Sequence, residues 1–323
     1  MTIWQEPSEQ NPYLGLPCLP SSGTIIQEPI LGLIPEIKIK ACPALISTWQ
    51  NPISDIHNPI ILNEKLHILG TSFNELVRIG RGRVSYQTKT HAADFVTDMD
   101  RGIEALMRLW LNKHYPHHKI IGEEGKKEQA SPEDHVWFLD PIDGTGNFVQ
   151  GSNDVAIHLG CLHHGVPFAT FFGMPFYNKG YTLYSQSPPI HPASRFVLGT
   201  EYLPQKNREA AEYRALLMQL SAQEHRVKSI GMHLYQMMQG EVSAFFKPGV
   251  KLWDVIAPCS LMHHYAKTYF NIEIVYNNVC LPLFNNDLDY WKHINKQKDY
   301  RAGFLMITRP DDPDLREVLK SKA

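Results

Sequence analysis

The part of this sequence with the clearest chemical content is residues 140–148, Asp-Pro-Ile-Asp-Gly-Thr-Gly-Asn-Phe. It follows an apolar run at residues 136–139 with strand character, so two carboxylates leave the end of a predicted strand. Gly144 permits a tight backbone approach, and Thr145 adds a hydroxyl. Hard oxygen donors beside a Gly-Thr turn suit Mg²⁺ and a phosphate held together. The alternative for Asp-x-x-Asp alone is a solvated acidic turn that caps a helix.

Helical patterns precede this motif. Residues 63–77 carry apolar side chains at three-to-four spacing, and Gly80 is expected to end that helix. A second helix is predicted after Asp100, which lies where an N-cap is expected. Capping is therefore the structural alternative to a catalytic role for this carboxylate.

Two more carboxylates follow from the same kind of pattern. Residues 120–121 predict a strand that runs into an acidic turn at Glu123. Residues 247–251 predict a turn, and Asp254 then lies at the start of a helix. After the central motif, residues 155–162 and 168–172 predict a β-hairpin, and a short helix is expected at residues 234–238.

Four pieces of the chain resemble the inositol monophosphatase family, the lithium-sensitive, magnesium-dependent phosphatases. The central motif is similar to the family signature, and the other pieces match in order along the chain. The matching pieces are residues 94–100, 122–124, 140–148 and 253–257. The resemblance covers roughly residues 63–320 and implies the α/β fold of that family, an αβαβα five-layer sandwich.

The resemblance also implies the metal ligands. Glu123, Asp140 and the carbonyl of Ile142 would hold one Mg²⁺, and Asp140, Asp143 and Asp254 would hold a second. A weaker third ion would lie near Glu123. Hydrolysis of a phosphate monoester requires such positive charge, because water must approach phosphorus through negative oxygens.

The remaining site residues follow from the same resemblance. Asp100 and Thr145 would together orient and deprotonate the attacking water, since a lone Thr hydroxyl is a poor base. The N–H groups of Gly144 and Thr145 would bind phosphate at a helix start. Water attacks directly, so no covalent phospho-enzyme is expected.

Departures from the family pattern concern the substrate. The hairpin usual after the third strand is shortened at residues 184–192. Lys247, a hydrogen-bond donor only, stands where a Glu commonly accepts bonds from sugar hydroxyls. It suits a second anionic group, or it is a solvated turn lysine. The helix at the sugar site is either cut short, or Gly231 is not its matching glycine. Pro258 is expected in the first turn of its helix, where proline is tolerated.

The sequence thus predicts a Mg²⁺-dependent phosphomonoesterase acting on inositol monophosphate or a related sugar phosphate. One alternative is a phosphatase for a doubly anionic substrate, such as fructose-1,6-bisphosphate or a nucleotide bisphosphate. The other is a family member without turnover that acts as an interaction protein. Family members are often dimers, so a homodimer is a possible assembly.

Domain organisation and composition set the outer bounds. Residues 1–60 are rich in proline and predict an extended arm, whereas residues 61–323 predict the catalytic domain, with halves at 61–190 and 191–323.

A net charge of −2 gives no general attraction to nucleic acid or anionic membranes. The 5 cysteines form no Cys-x-x-Cys pair, and the 16 histidines show no helical zinc spacing. With no leader-like or membrane-length apolar stretch, a cytoplasmic location is expected.

Overall fold

The computed structural model describes most of the predicted catalytic region. The described residues are 58–82, 86–88, 95–193, 197–200, 224–276, 279–297, 300 and 303–309. Most of the arm predicted at residues 1–60 lies outside them, as do Asp94 and residues 208–220 and 313–319, which the sequence predicts to be helical. No helix of the described residues is long and apolar enough to cross a membrane.

One or more strands separate successive helices along the described chain. The helices are α1 (Pro59–Gly80), α2 (Asp98–His114), α3 (Thr145–Gln150), α4 (Ile230–Met238), α5 (Leu252–Tyr265) and α6 (Leu288–Lys296), with a 3-10 turn at Pro175–Tyr177. The strands are β1 (Tyr86–Thr88), β2 (Phe95–Thr97), β3 (Lys119–Gly122), β4 (Val136–Asp143), β5 (Ala156–His163), β6 (Val166–Met174), β7 (Lys179–Thr182), β8 (Leu198–Thr200), β9 (Glu224–His225), β10 (Ala244–Pro248), β11 (Asn271–Tyr276), β12 (Val279–Pro282) and β13 (Phe304–Thr308).

Two sheets organise these elements. The first has the order β3-β4-β5-β6-β7, in which β3 and β4 are parallel and the other pairs are antiparallel. The second has the order β12-β11-β13-β10-β8-β9. A small antiparallel ladder joins β1 and β2. The predicted hairpin of two strands is thus confirmed as β5–β6, which extends beyond the predicted residues.

Alternating side chains of the first sheet bury two different cores. Trp137 and Leu139 of β4 pack with the apolar stripes of α1 and α2. Phe138 packs on the opposite face with residues of α4, α5 and the second sheet. Burial on both faces explains why β4 is apolar at successive positions rather than at alternate ones. The result is a layered α/β sandwich, as predicted.

Local capping explains where α2 begins and corrects one expectation. Thr97, not Asp100, is the N-cap residue, and its hydroxyl accepts from the N–H groups of Met99 and Asp100. Asp100 lies at the third helical position and completes a capping box by accepting from the Thr97 N–H at 2.7 Å. The reciprocal pair satisfies N–H groups that the first turn leaves without helical partners.

Three other expectations about the second half were wrong. Helix α4 begins at Ile230 instead of residue 234, because Ser229 caps it by accepting from the Met232 N–H at 3.2 Å. Lys247 lies in β10 rather than in a turn, since pairing with β13 extends that strand through Pro248. Pro258 lies inside α5, not in its first turn, so it offers no N–H to the carbonyl of Asp254.

Candidate active site

The central motif starts at the end of β4, where a bulge changes the direction of its side chains. Asp140 pairs with His158 and Asp143 with Ala156, so the register shifts between the two carboxylates. On a regular strand, side chains three positions apart point to opposite faces. Here the shift turns Ile142 toward the α1–α2 core and leaves both carboxylates facing the layer of α4 and α5.

Three carboxylates meet at this edge of the sheet. One ligand atom each of Glu123, Asp140 and Asp254 lies within 4.8 Å of the others. Glu123 is placed beside β4 because its N–H donates to the Leu139 carbonyl at 3.1 Å. Asp254 comes from the first turn of α5, which sits close on β5: a Cβ at Gly160 would lie 2.7 Å from Ile256 Cγ2. Two strands and a helix therefore build the group.

Burial and mutual repulsion raise the pKa values of two of these carboxylates. Burial, followed by repulsion from Glu123, Asp143 and Asp254, raises the pKa of Asp140 well above its usual range. Burial also raises the pKa of Asp254 to about 7, against the opposing effect of the Lys251 ammonium. A cation that binds here would remove both the repulsion and the cost of burying charge.

Asp143 is held by the start of α4. Its Oδ2 accepts from Ser229 Oγ at 2.7 Å and from the Gly231 N–H at 2.6 Å, and its Oδ1 accepts from the Ile230 N–H at 3.2 Å. Gly231 therefore lies in the first turn of the helix that faces the motif, one position after its first residue. Asp143 is not a member of the close group formed by Glu123, Asp140 and Asp254, although its charge acts on Asp140 and Asp254. That group combines members of both predicted ligand sets.

Thr145 and Asp100 are in direct contact, as the predicted relay requires. Thr145 Oγ1 lies 3.0 Å from Asp100 Oδ1 and 3.0 Å from the carbonyl oxygen of Ile142, and its single proton can be donated to one of them at a time. The other oxygen of Asp100 accepts from Thr97. Burial raises the pKa of Asp100 to about 7, although the hydrogen bonds from Thr97 lower it. Asp100 thus has both a capping contact and a contact in the site.

Gly144 fits the tight turn between β4 and α3. Its φ is 86°, and a Cβ there would lie 2.9 Å from the carbonyl oxygen of Asp154. Asn147 closes the turn, since its side-chain amide donates to the carbonyls of Asp154 and Val227 at 2.8 Å each. The second of these bonds joins the motif to the segment that precedes α4.

Comparison with known proteins identifies the architecture around these residues. The model of the inositol monophosphatase family matches residues 68–265. This chain belongs to the inositol monophosphatase family. An inositol-1-monophosphatase of Mycobacterium bovis is 30% identical over 204 residues, which cover 56% of this chain and 69% of that protein.

Solved structures agree on the fold of this inositol monophosphatase family member. A staphylococcal inositol monophosphatase-1 soaked in LiCl superposes with a TM-score of 0.61 at 18% identity, over 81% of this chain and 94% of that one. An inositol monophosphatase/NADP phosphatase complexed with Mg²⁺ and phosphate gives a TM-score of 0.56 at 18% identity, over 76% and 89% of the two chains. At this level of identity the likeness establishes the fold.

The donor set of this family member fits a hard divalent cation. Its grouped atoms are carboxylate oxygens, and the described residues place no histidine or cysteine ligand atom within that group. Mg²⁺ and Ca²⁺ prefer oxygen ligands, whereas nitrogen and sulfur ligands favour zinc and copper. The pKa of Asp140 is raised by its burial and by repulsion from the other carboxylates, and a bound cation would offset both effects.

One residue that the sequence did not reveal positions the Glu123 turn. Glu104 of α2 is buried, and its two oxygens accept from the N–H groups of Glu124 and Gly125, both at 2.7 Å. Arg108 donates to the same carboxylate at 2.7 Å. Glu104 falls on the apolar face of its helix, and a buried acid among apolar positions was the available signal.

His158 is a second residue that the sequence did not reveal. Its Nδ1 lies 3.1 Å from the Trp253 carbonyl oxygen, which can only accept, so we assign the proton to Nδ1. Its Nε2 lies 3.6 Å from Asp143 Oδ2. His158 thus hydrogen-bonds the residue next to Asp254 and lies beside Asp143 without a hydrogen bond to it. Burial lowers the pKa of this histidine, although Asp143 opposes the shift.

Positive charge lies beside the acidic group. Lys251 Nζ is 3.2 Å from Glu123 Oε1, and Lys127 Nζ is 3.4 Å from the Glu123 carbonyl oxygen. Half-buried Lys247 in β10 acts at longer range and lowers the pKa of Asp254. Lys247 was predicted from the sequence, whereas the other two lysines come close to the site through tertiary packing.

Proposed function

We propose that this chain is a Mg²⁺-dependent phosphomonoesterase that hydrolyses inositol monophosphate or a related sugar phosphate. The observation that carries the proposal is the group of Glu123, Asp140 and Asp254 close to a hydrogen-bonded Thr145–Asp100 pair. Membership of the inositol monophosphatase family supports it.

Oxygen ligands for two or three Mg²⁺ ions would come from four carboxylates and one carbonyl. These are Glu123, Asp140, Asp143, Asp254 and the carbonyl of Ile142. When bound, divalent cations supply positive charge that offsets the phosphoryl oxygens and acidifies water. The hydrogen bonds from Ser229 and from the start of α4 orient the Asp143 carboxylate.

Thr145 and Asp100 would activate the attacking water. The water gives a proton to Thr145 Oγ1 as that hydroxyl passes its own proton to Asp100 Oδ1, along the 3.0 Å hydrogen bond. A pKa of about 7 suits Asp100 to this task, because a base works best when its pKa is close to the working pH. The oxygen of the water bonds to phosphorus while the bond to the leaving alkoxide breaks.

Phosphate would be bound by the backbone that follows Asp143. The N–H groups of Gly144 and Thr145 lie at the start of α3, a helix of 6 residues. These N–H groups act mainly through direct hydrogen bonds, since so short a helix has a small macrodipole. The φ of 86° at Gly144 sets their direction.

A second candidate function is favoured by the lysines at the site. Lys247, Lys251 and Lys127 place three ammonium groups around the acidic residues. Such charge suits a substrate with a second anionic group, such as a bisphosphorylated sugar or nucleotide. The two candidates share the same hydrolytic chemistry and differ in the leaving group.

A phosphate-release panel tests both candidates. The full chain would be assayed with inositol-1-phosphate, fructose-1,6-bisphosphate and adenosine-3′,5′-bisphosphate, with Mg²⁺ or with EDTA, and with added lithium. We expect Mg²⁺-dependent, lithium-sensitive release that is fastest with inositol-1-phosphate. No release from any substrate would overturn the proposal and favour the interaction protein.

Substitution at Lys247 separates the two substrate classes. If the bisphosphates are preferred, Lys247→Glu should reverse that preference, whereas Lys292→Glu, an exposed lysine on α6, should leave it unchanged. A preference for inositol-1-phosphate that is the same in native protein and Lys247→Glu would exclude the second candidate.

A further inference from the structure

Lys251 makes a contact in the candidate active site that hydrolysis alone does not require. It is the N-cap residue of α5, three positions before Asp254, and its Nζ lies 3.2 Å from Glu123 Oε1. The same ammonium lies 5.3 Å from the ring centroid of buried Trp253. The carboxylate that pairs with Lys251 therefore also belongs to the acidic group with Asp140 and Asp254.

An ammonium group and a divalent cation compete for such a carboxylate. Both are positive, so they repel each other at the distances within this group. A divalent cation that shares Asp140 and Asp254 also has the larger charge. The side chain of Lys251 is 31% exposed, against 15% for Glu123, so the lysine is the partner with more room to move. Its four-carbon stem gives it that reach.

Lys127 provides an internal comparison. Its Nζ lies 4.8 Å from the ring centroid of the same Trp253, but it contacts the carbonyl oxygen of Glu123 at 3.4 Å rather than the carboxylate. A cation on the carboxylate therefore leaves the Lys127 contact in place. The two lysines are similar in charge and neighbourhood and differ in the atom that they contact.

We propose that Lys251 competes with the divalent cation for Glu123. When the cation binds, the ammonium group of Lys251 moves from Glu123 to the bound phosphate. The ammonium then lies between the first turn of α5 and the phosphate, where it is a substrate-binding group. Cation and phosphate would thus bind in order, the cation first. The phosphate half of this proposal rests on the proposed function, whereas the competition half does not.

Calorimetric titration of the full chain with MgCl₂ alone tests the competition. Lys251→Met should bind Mg²⁺ about two- to fivefold more tightly than the native protein, because a half-buried ion pair contributes about that factor to an equilibrium constant. Lys251→Arg keeps the charge and should not tighten binding. Lys127→Met should change the affinity by less than Lys251→Met does. Unchanged or weaker binding by Lys251→Met, or equal tightening by Lys127→Met, would overturn the competition.

Titration with inorganic phosphate at saturating Mg²⁺ tests the transfer. Lys251→Met should bind phosphate about fivefold or more weakly, and Lys251→Arg should recover most of the loss. Opposite changes in Mg²⁺ and phosphate affinity in a single variant are not expected of a purely structural residue. Phosphate affinity equal to that of the native protein would overturn the transfer. Neither titration depends on turnover, so a protein inactive in the phosphate-release panel would refute the proposed function without deciding this one.

Discussion

Substitution of Asp100 by Asn should remove a loss of stability that the native protein undergoes as the pH rises, and it should reduce activity. Asp100 is fully buried, and burial raises its pKa from 3.8 to about 7. The folded protein therefore holds this proton more tightly than the unfolded chain does. Stability from this group is fully present below pH 3.8 and is lost as the pH rises to about 7, after which it stays constant.

The size of the effect follows from that pKa. Between pH 5 and pH 8, the native protein loses about 2–3 kcal/mol of unfolding free energy through Asp100, at about 1.4 kcal/mol for each pH unit up to its pKa. Asn is neutral throughout and avoids this loss. Between pH 5 and pH 8, the unfolding free energy of Asp100→Asn should therefore rise relative to that of the native protein by about 2–3 kcal/mol. Phosphate release should fall about 100-fold or more, because the base of the relay is gone.

The assay is urea unfolding in EDTA at pH 5 and pH 8, combined with phosphate release in Mg²⁺. Asp98→Asn is a matched control in the first turn of the same helix, since its side chain is 52% exposed whereas Asp100 is fully buried. An equal stability difference for Asp100→Asn at both pH values would refute the assigned pKa shift. Full activity in this variant would refute the relay.

Three further substitutions test the neighbouring contacts. Thr145→Ala should reduce phosphate release about 100-fold but leave Mg²⁺ affinity by calorimetry within about twofold, and full activity would contradict its role in the relay. Asp143→Asn should abolish turnover by weakening Mg²⁺ binding, so calorimetry that shows native affinity would count against it as a ligand. Gly144→Ala should lower the unfolding free energy by about 1–3 kcal/mol, because its φ is 86° and the new Cβ meets the Asp154 carbonyl at 2.9 Å. Gly82→Ala, with φ 72° and no heavy atom within 4 Å of the new Cβ, should lose less in the same urea titration.

Local patterns predicted the elements well where one core face dominates. The apolar spacing of α1 marks side chains that face a single buried layer. The same approach misplaced the start of α4. Four apolar or aromatic residues lie within residues 234–238, near the end of the helix, and the prediction was therefore confined to that stretch. Its actual start depends on the cap from Ser229 and on Asp143, a partner far away in sequence.

Chain order and residue type determined the chemistry of the candidate site. Metal and phosphate require particular donor types at short spacing, so the carboxylates, the Gly-Thr turn and Asp100 can be identified from the sequence. Those demands are local, so they leave a mark on a few contiguous residues. The family that this mark indicated is confirmed by the match over residues 68–265.

Only the tertiary structure decided how these groups are held and balanced. Glu104 orients the Glu123 turn across 20 residues, and Lys251 reaches Glu123 across 128. The bulge in β4, which brings Asp140 and Asp143 to one side, requires the register of β5. Each contact joins segments through packed layers, and a long-range pairing leaves no periodicity in either segment alone. The sequence therefore specified the donor residues. The fold set the distances between them, their pKa values and the lysines that lie beside them.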